Sequence, residues 1–92
     1  MSEELKQYIY KHKNLFWYTP ENKLYNISNS FLVETILNYG DLNAVKNLFE
    51  IMGITNVAKI FFDDINISER RKNNYQALTL NYFTLLFNHY AH

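Results

Sequence analysis

The 92-residue sequence contains no cysteine, only one proline and only two glycines. The absence of cysteine excludes disulfide bonds, thiolate nucleophiles and cysteine-ligated metals. No apolar run reaches the roughly 20 residues that a membrane-spanning helix requires. Residues 1–13 carry several charges and lack the apolar core of a signal peptide. These absences predict a cytoplasmic protein without a membrane segment.

An excess of either charge is missing too, because nine basic and nine acidic residues give a formal net charge of zero. Nucleic-acid binding driven by phosphate contacts needs a basic surface. Arg70, Arg71 and Lys72 stand together, and acidic residues lie close to them in the sequence. We interpret this segment as a solvated linker. Nucleic-acid binding through the three basic residues is the alternative.

The residues that are present predict a single helical domain over residues 1–92. The composition is 48% hydrophobic and 20% charged, as in globular proteins. Apolar side chains recur mainly at helical spacing. We therefore predict an all-α fold, a compact bundle of about five short helices around an apolar C-terminal helix. An irregular connection is expected at about 16–29 and a polar loop at about 63–74.

The predicted helix borders depend on particular residues. Ser2, Asp41 and Thr55 can cap the N-termini of the first, third and fourth helices through their side-chain oxygens. Gly40 and Gly53 can end the second and third helices in the left-handed conformation that glycine adopts easily. For the second helix the cap lies among the three residues 28–30.

The C-terminal helix, predicted at about 75–90, has apolar residues around most of its circumference. Asn81, Thr84 and Asn88 leave only a narrow polar stripe along it. A helix this apolar is usually central to a core. We therefore expect it to be either the packing spine of the domain or one half of an oligomer interface.

The aromatic segment at Phe16, Trp17 and Tyr18 is the best candidate for a binding surface. Trp and Tyr are common at interface hot spots because they bury a large area with few rotatable bonds. Trp17, Tyr18 and Tyr25, together with the polar stripe of the C-terminal helix, are the predicted partner-binding residues. In the alternative, Phe16 and Trp17 fill the end of the helical core.

Sequence patterns for catalysis and metal binding are not found. His12, His89 and His92 lack a further ligand at metal-binding spacing. The nucleophile and phosphate-loop motifs are absent. Asp63 and Asp64 are adjacent, so they do not face one another on a helix, and we expect a solvated helix end there. The sequence predicts a non-enzymatic protein without a metal or cofactor.

A helix-turn-helix is a further interpretation, because the third and fourth predicted helices are separated by Gly53 and Ile54. Its reading helix, at 55–62, offers only Asn56 and Lys59 for contacts with DNA. Two aspartates follow immediately and would repel the phosphate backbone. DNA binding is therefore an alternative and not the favoured function.

Four segments together resemble a family of short bacterial proteins of unknown function. The family opens with Phe/His-Trp, a short turn and Leu, as in FWYTPENKL at 16–24. An apolar helix ending in Gly-Asp follows, as in FLVETILNYGD at 31–41, and then a helix with a Leu-Phe centre, as in AVKNLF at 44–49. The closing segment resembles LTLNYF at 78–83.

Members of this family are often encoded beside nucleotidyltransferase-type abortive-infection toxins. The resemblance therefore implies an antitoxin or accessory role, and a nucleotidyltransferase toxin as the partner. The favoured hypothesis is a protein-binding module that acts through such a partner. A DNA-binding or autoregulatory helical domain and a structural homo-oligomer are the alternatives.

Overall fold

The computed structural model describes residues 2–17 and 19–90, without the side chains of Glu21 and Tyr90. These residues form α-helices and 3₁₀ helices and contain no strand, which confirms the all-α prediction. None of the described helices has the length and apolarity to cross a membrane. In chain order the elements are α1 (Glu3–Lys11), 3₁₀ helices at Lys13–Phe16 and Glu21–Asn26, α2 (Asn29–Tyr39), α3 (Leu42–Met52), α4 (Ile54–Ile67), α5 (Glu69–Lys72) and α6 (Ala77–Tyr90).

Three of the helices have side-chain N-caps at or near the predicted positions. Ser2, Ser28 and Asp41 each accept a hydrogen bond from the backbone N–H three residues later, at 3.2, 3.1 and 2.8 Å. Each bond satisfies an N–H that the helix itself leaves without a partner. The cap predicted at Thr55 is wrong, because the N-cap of α4 is Gly53, two residues earlier.

The two glycines end their helices for different reasons. Gly53 has a φ of 86°, a conformation that side chains with a Cβ rarely adopt. Gly40 has a φ of −73°, so its predicted left-handed conformation is wrong. A Cβ at position 40 would lie 2.7 Å from the carbonyl oxygen of Ile36 and 3.1 Å from the Cβ of Ala44. Glycine at position 40 therefore permits close approach between the end of α2 and the start of α3.

The polar loop predicted at about 63–74 is wrong, because most of this segment is helical. Helix α4 continues to Ile67, and Ser68 caps α5 by accepting a hydrogen bond from the N–H of Arg71 at 3.0 Å. Polar composition suggested a loop, yet Asp64 is buried among partners from other elements. Ile65 also packs against the core, so tertiary contacts stabilise this part of α4.

The connection predicted as irregular at about 16–29 contains the 3₁₀ helix Glu21–Asn26, which contacts α1. Leu24 of that turn is buried in the core. Helix α1 is also joined to α3 by a buried hydrogen bond of 2.6 Å, which the Tyr8 hydroxyl donates to the carbonyl of Ala44. The N-terminal third of the chain therefore closes one side of the bundle.

Helices α2 and α4 lie at the centre of the bundle. Leu32 and Ile36 of α2 and Val57 and Phe61 of α4 are fully buried. Helix α4 contacts α2, α3, α5 and α6, so it joins most parts of the fold. The core is therefore organised around two helices in the middle of the sequence, and the C-terminal helix packs on one side of α4.

A cluster of aromatic rings attaches α6 to the rest of the domain. Phe87 of α6 is fully buried, and its ring centroid lies 5.3 Å from that of Phe61 and 5.8 Å from that of Phe49, both in edge-to-face geometry. Phe83 stacks on Phe87 at 5.5 Å, and Tyr75 contacts Phe61 at 5.1 Å. Ring pairs at these distances stabilise a core beyond simple burial of area.

We expect Phe87→Leu to lower the free energy of unfolding by about 1–3 kcal/mol, because it removes buried volume and several ring contacts. The matched control is Tyr82→Leu on the exposed side of α6, which should cost no more than about 1 kcal/mol. Urea unfolding followed by circular dichroism measures both. Equal losses in the two variants would contradict this description of α6.

Candidate functional site

The structure distinguishes between a binding role and a core role for Phe16 and Trp17, which are neighbours in the sequence. Phe16 is buried in the core, as the structural alternative predicts, whereas the side chain of Trp17 is 80% exposed. Tyr25 is also exposed. The predicted partner-binding residue Tyr18 lies outside the described residues. Of the described residues in the predicted aromatic set, Trp17 and Tyr25 therefore lie at the surface.

Trp17 and Tyr25 line different grooves. The groove beside Trp17 has a volume of about 310 Å³ and is also lined by Asn14, Leu15 and the exposed Tyr39 at the end of α2. The groove beside Tyr25 has a volume of about 250 Å³, and its other lining residues are Glu3, Lys6, Gln7 and Tyr10. Neither of these two grooves therefore contains both Trp17 and Tyr25.

A stripe of large apolar side chains is exposed on α6. Leu78 is 84% exposed, Tyr82 58% and Leu85 72%. The spacing of four and then three residues places them on one helix face, away from the buried Phe83 and Phe87. Isolated exposed leucines are ordinary, but several on one face are typical of an interaction surface. We call these three residues the α6 stripe.

The polar residues predicted to bind a partner flank the α6 stripe. Asn81 and Asn88 are exposed, one turn before and one turn after Leu85, while Thr84 is half-buried. The 14 residues of α6 include no Asp, Glu, Lys or Arg. Charged residues are depleted at the centres of protein interfaces. This face of α6 therefore has an interface composition, with amides at its edge.

The start of α6 is held against α2 by Asn38. The Asn38 side chain donates a hydrogen bond to the carbonyl of Asn74 and accepts one from the N–H of Gln76, both at 3.0 Å. Tyr39 follows Asn38 directly, and Leu78 comes two residues after Gln76. The groove beside Trp17 and the start of the α6 stripe therefore lie at the same end of α2.

A second polar junction surrounds Asp64. The predicted solvated helix end is wrong for this residue, because its side chain is buried. Its carboxylate accepts hydrogen bonds from the Ser30 hydroxyl at 2.9 Å, from Arg71 Nη1 at 3.5 Å and from the Tyr75 hydroxyl at 3.5 Å. Asp63, in contrast, is exposed. Burial of a carboxylate is tolerated only where such partners compensate for lost hydration. Asp64 therefore joins α2, α4, α5 and the segment before α6.

The electrostatics of this junction disfavour further negative charge. Burial, and then the charge of Asp64, raise the pKa of the half-buried Glu34. Burial also raises the pKa of Tyr75, with smaller contributions from the two carboxylates and from its hydrogen bond to Asp64. The carboxylate of Asp64 is occupied by contacts within the domain. Within residues 2–17 and 19–90, no three His, Cys, Asp or Glu side chains are grouped closely enough to hold a metal ion.

The basic residues considered for nucleic-acid binding lie on α5, a helix of a single turn. Arg70 and Arg71 are exposed, and Lys72 is half-buried. Arg71 is also the cationic partner of Asp64, at 3.5 Å. Part of this basic group therefore contributes to a contact within the domain.

Helices α3 and α4 do not form the helix-turn-helix that the sequence suggested as an alternative. Helices α3 and α4 are separated by Gly53 alone, whereas the motif uses a turn of about three to four residues. Of the two residues considered for DNA contacts, Asn56 donates a side-chain hydrogen bond to the carbonyl of Met52 at 2.8 Å, and Lys59 is exposed. Asn56 therefore helps to end α3.

Comparison of the chain with protein-family models, curated proteins and solved structures finds no match. The function must therefore be inferred from the surfaces themselves. Among those described, the face of α6 combines large apolar side chains, a regular backbone and the absence of charged residues. Sequence periodicity did not identify the α6 stripe, because α6 is apolar on nearly all sides.

We expect Glu34→Gln to stabilise the protein at pH 7 and to lose this advantage as the pH falls. The folded-state pKa of Glu34 is raised above its ordinary value of 4.5, so its ionised form is less favourable in the folded chain than in the unfolded one. The penalty is present above the folded-state pKa and disappears once both states are protonated. Urea unfolding between pH 7 and pH 4 measures the difference from wild type.

The matched control for this measurement is Glu50→Gln, which changes an exposed glutamate on α3. Its stability difference from wild type should vary less with pH. If the curves for Glu34→Gln and wild type stay parallel over the whole pH range, the junction does not disfavour the Glu34 carboxylate.

Proposed function

We propose that this domain is a non-enzymatic protein-binding module that contacts its partner through the α6 stripe. The observation that carries this proposal is the exposure of Leu78, Tyr82 and Leu85 on one face of an uncharged helix. Removing apolar surface from water lowers the free energy by roughly 25 cal/mol per Å². Covering these side chains would supply the free energy of binding.

The shape of the surface favours a protein over a small molecule. Small-molecule sites are concave and enclose most of the ligand. The α6 stripe lies along a helix, and helices that present residues at such spacing dock in grooves or against other helices. Tyr82, at the middle of the stripe, is a residue type common at interface hot spots.

The chemistry of the stripe also restricts the partner. Since α6 contains no Asp, Glu, Lys or Arg, it offers no carboxylate, ammonium or guanidinium group to a charged surface. A matching surface would be apolar, with polar groups at its edge to bond the amides of Asn81 and Asn88. We therefore propose a partner that presents an apolar helix or groove.

The family resemblance supports a particular partner, a toxin of the nucleotidyltransferase type. In this form of the proposal the domain is the antitoxin-like member of the pair. Binding through the α6 stripe would leave the rest of the domain surface free. The gene that neighbours this one supplies the protein to be tested.

We expect the tagged domain to capture the neighbouring gene product when the two are co-expressed. Replacing Leu78 and Leu85 by Glu should weaken binding by at least about a hundredfold, since each change puts a charge into an apolar contact. Isothermal titration calorimetry measures the dissociation constants. The matched control is Leu42→Glu on α3, a leucine that is 69% exposed but lies outside the α6 stripe.

Two outcomes would contradict the proposal. In the first, the co-expressed pair does not associate. In the second, the pair associates but the variant with both leucines replaced binds as tightly as wild type. Circular dichroism of the variant establishes that it is folded, and all of its changes lie at exposed positions.

A further inference from the structure

We infer that Asn38 of α2 sets the affinity of the α6 stripe, because it holds the first turn of α6 in the conformation that binds the partner. Asn38 lies on another helix and outside the stripe, so its role is that of a positioning residue. The inference rests on the proposed function, since it concerns the same surface. It adds that a side chain remote in the sequence controls how tightly this surface binds.

The first turn of α6 has little burial of its own. Tyr75, before the helix, is buried, and the next buried residue along the chain is Phe83. Of the apolar residues between these two, Leu80 packs partly against the core, whereas Leu78 is 84% exposed. A helix end with few apolar contacts frays unless its backbone is bonded from elsewhere. The position of Leu78 therefore depends on the polar contacts at the start of the helix.

The residues around the start of α6 are poor caps. The carbonyl of Gln76 accepts the N–H of Leu80 at 2.8 Å, which places Gln76 at the N-cap, but glutamine is not among the favoured residues there. In a capping box, a Glu or Gln three residues later bonds the N–H of the N-cap residue. Thr79 stands at that position. Asn38 supplies the equivalent bond from α2, at 3.0 Å.

An amide side chain suits both of the groups that Asn38 contacts. It accepts a hydrogen bond from the N–H of Gln76 and donates one to the carbonyl of Asn74, both at 3.0 Å. A carboxylate could only accept, and an apolar side chain could do neither. The two bonds lie on either side of Tyr75, whose buried ring contacts Phe61. Tyr75 thus fixes one residue, and Asn38 fixes the direction in which the chain enters α6.

The order of this turn affects affinity through the fraction of molecules that are ready to bind. A partner that covers Leu78 needs the turn ordered, and the apparent dissociation constant rises as the inverse of the ordered fraction. Loss of both bonds should leave the turn ordered in about a tenth of the molecules. Leu85, in contrast, lies between the buried Phe83 and Phe87 and should keep its place without Asn38.

Hydrogen exchange of Asn38→Ala measures the order of the turn without any partner. The amide of Leu80, the first that α6 itself bonds, should exchange about tenfold faster than in wild type, and the amide of Phe87 should change much less. The matched control is Asn56→Ala, which also removes a bond from an exposed asparagine to a backbone carbonyl, but at the end of α3. It should leave the ratio of the two exchange rates unchanged.

Isothermal titration calorimetry with the neighbouring gene product measures the effect on affinity. Asn38→Ala should raise the dissociation constant about tenfold. Asn38→Asp keeps the acceptor for the N–H of Gln76 and should recover part of this loss. In a Leu78→Ala background, Asn38→Ala should cost less than about threefold, because the side chain that Asn38 positions is already gone. A residue that only stabilises the fold would cost the same in both backgrounds.

The outcomes separate this inference from the proposed function. Unchanged affinity of Asn38→Ala would overturn the inference alone. Equal acceleration of exchange at Leu80 and Phe87, with equal losses of affinity in both backgrounds, would also overturn it, since Asn38 would then act on global stability. If the wild-type pair does not associate, the proposed function is overturned. Exchange at Leu80 then decides by itself whether Asn38 holds the first turn, and an unchanged rate would overturn that as well.

Discussion

The edge-to-face contact between Phe61 and Phe87 determines which side of α6 faces water. Both rings are fully buried, and Phe83 stacks on Phe87 from the same helix. With these rings turned toward α4, the helical repeat of 3.6 residues leaves Leu78 and Leu85 on the outside. The exposed stripe is therefore the consequence of how the core is packed. A rotation of α6 that buried the leucines would have to remove Phe87 from the aromatic cluster.

Two polar junctions hold the segment that precedes α6, and they complement the aromatic cluster. Asn38 bonds the backbone on both sides of residue 75, and the buried Asp64 bonds Arg71 and Tyr75. Their energetic roles differ. The amide of Asn38 replaces water for exposed backbone groups, whereas the carboxylate of Asp64 loses hydration that only its partners can compensate. Together with the rings, these contacts set both the starting point and the rotation of α6.

The sequence predicts part of the candidate site. It placed Asn81 and Asn88 on the C-terminal helix, and both lie at the edge of the exposed stripe. It did not identify the stripe, because leucine and phenylalanine are nearly equivalent in an apolar periodicity and only their packing partners distinguish them. It also left open the place of Trp17, which is exposed although the neighbouring Phe16 is buried. The side chains of adjacent aromatic residues in a tight turn point in different directions, and the amino-acid composition does not predict which of them is buried.

The sequence by itself determined the helical class and several helix borders. Those features depend on short-range effects: Ser2 and Asp41 bond amides three residues away, and Gly53 adopts a φ that suits glycine. The tertiary structure alone decided that α4 continues through a polar segment and which face of α6 remains exposed. Both depend on contacts between residues far apart in the chain. The bond from Ser30 to Asp64 is one example, because nothing in the sequence around either residue indicates it.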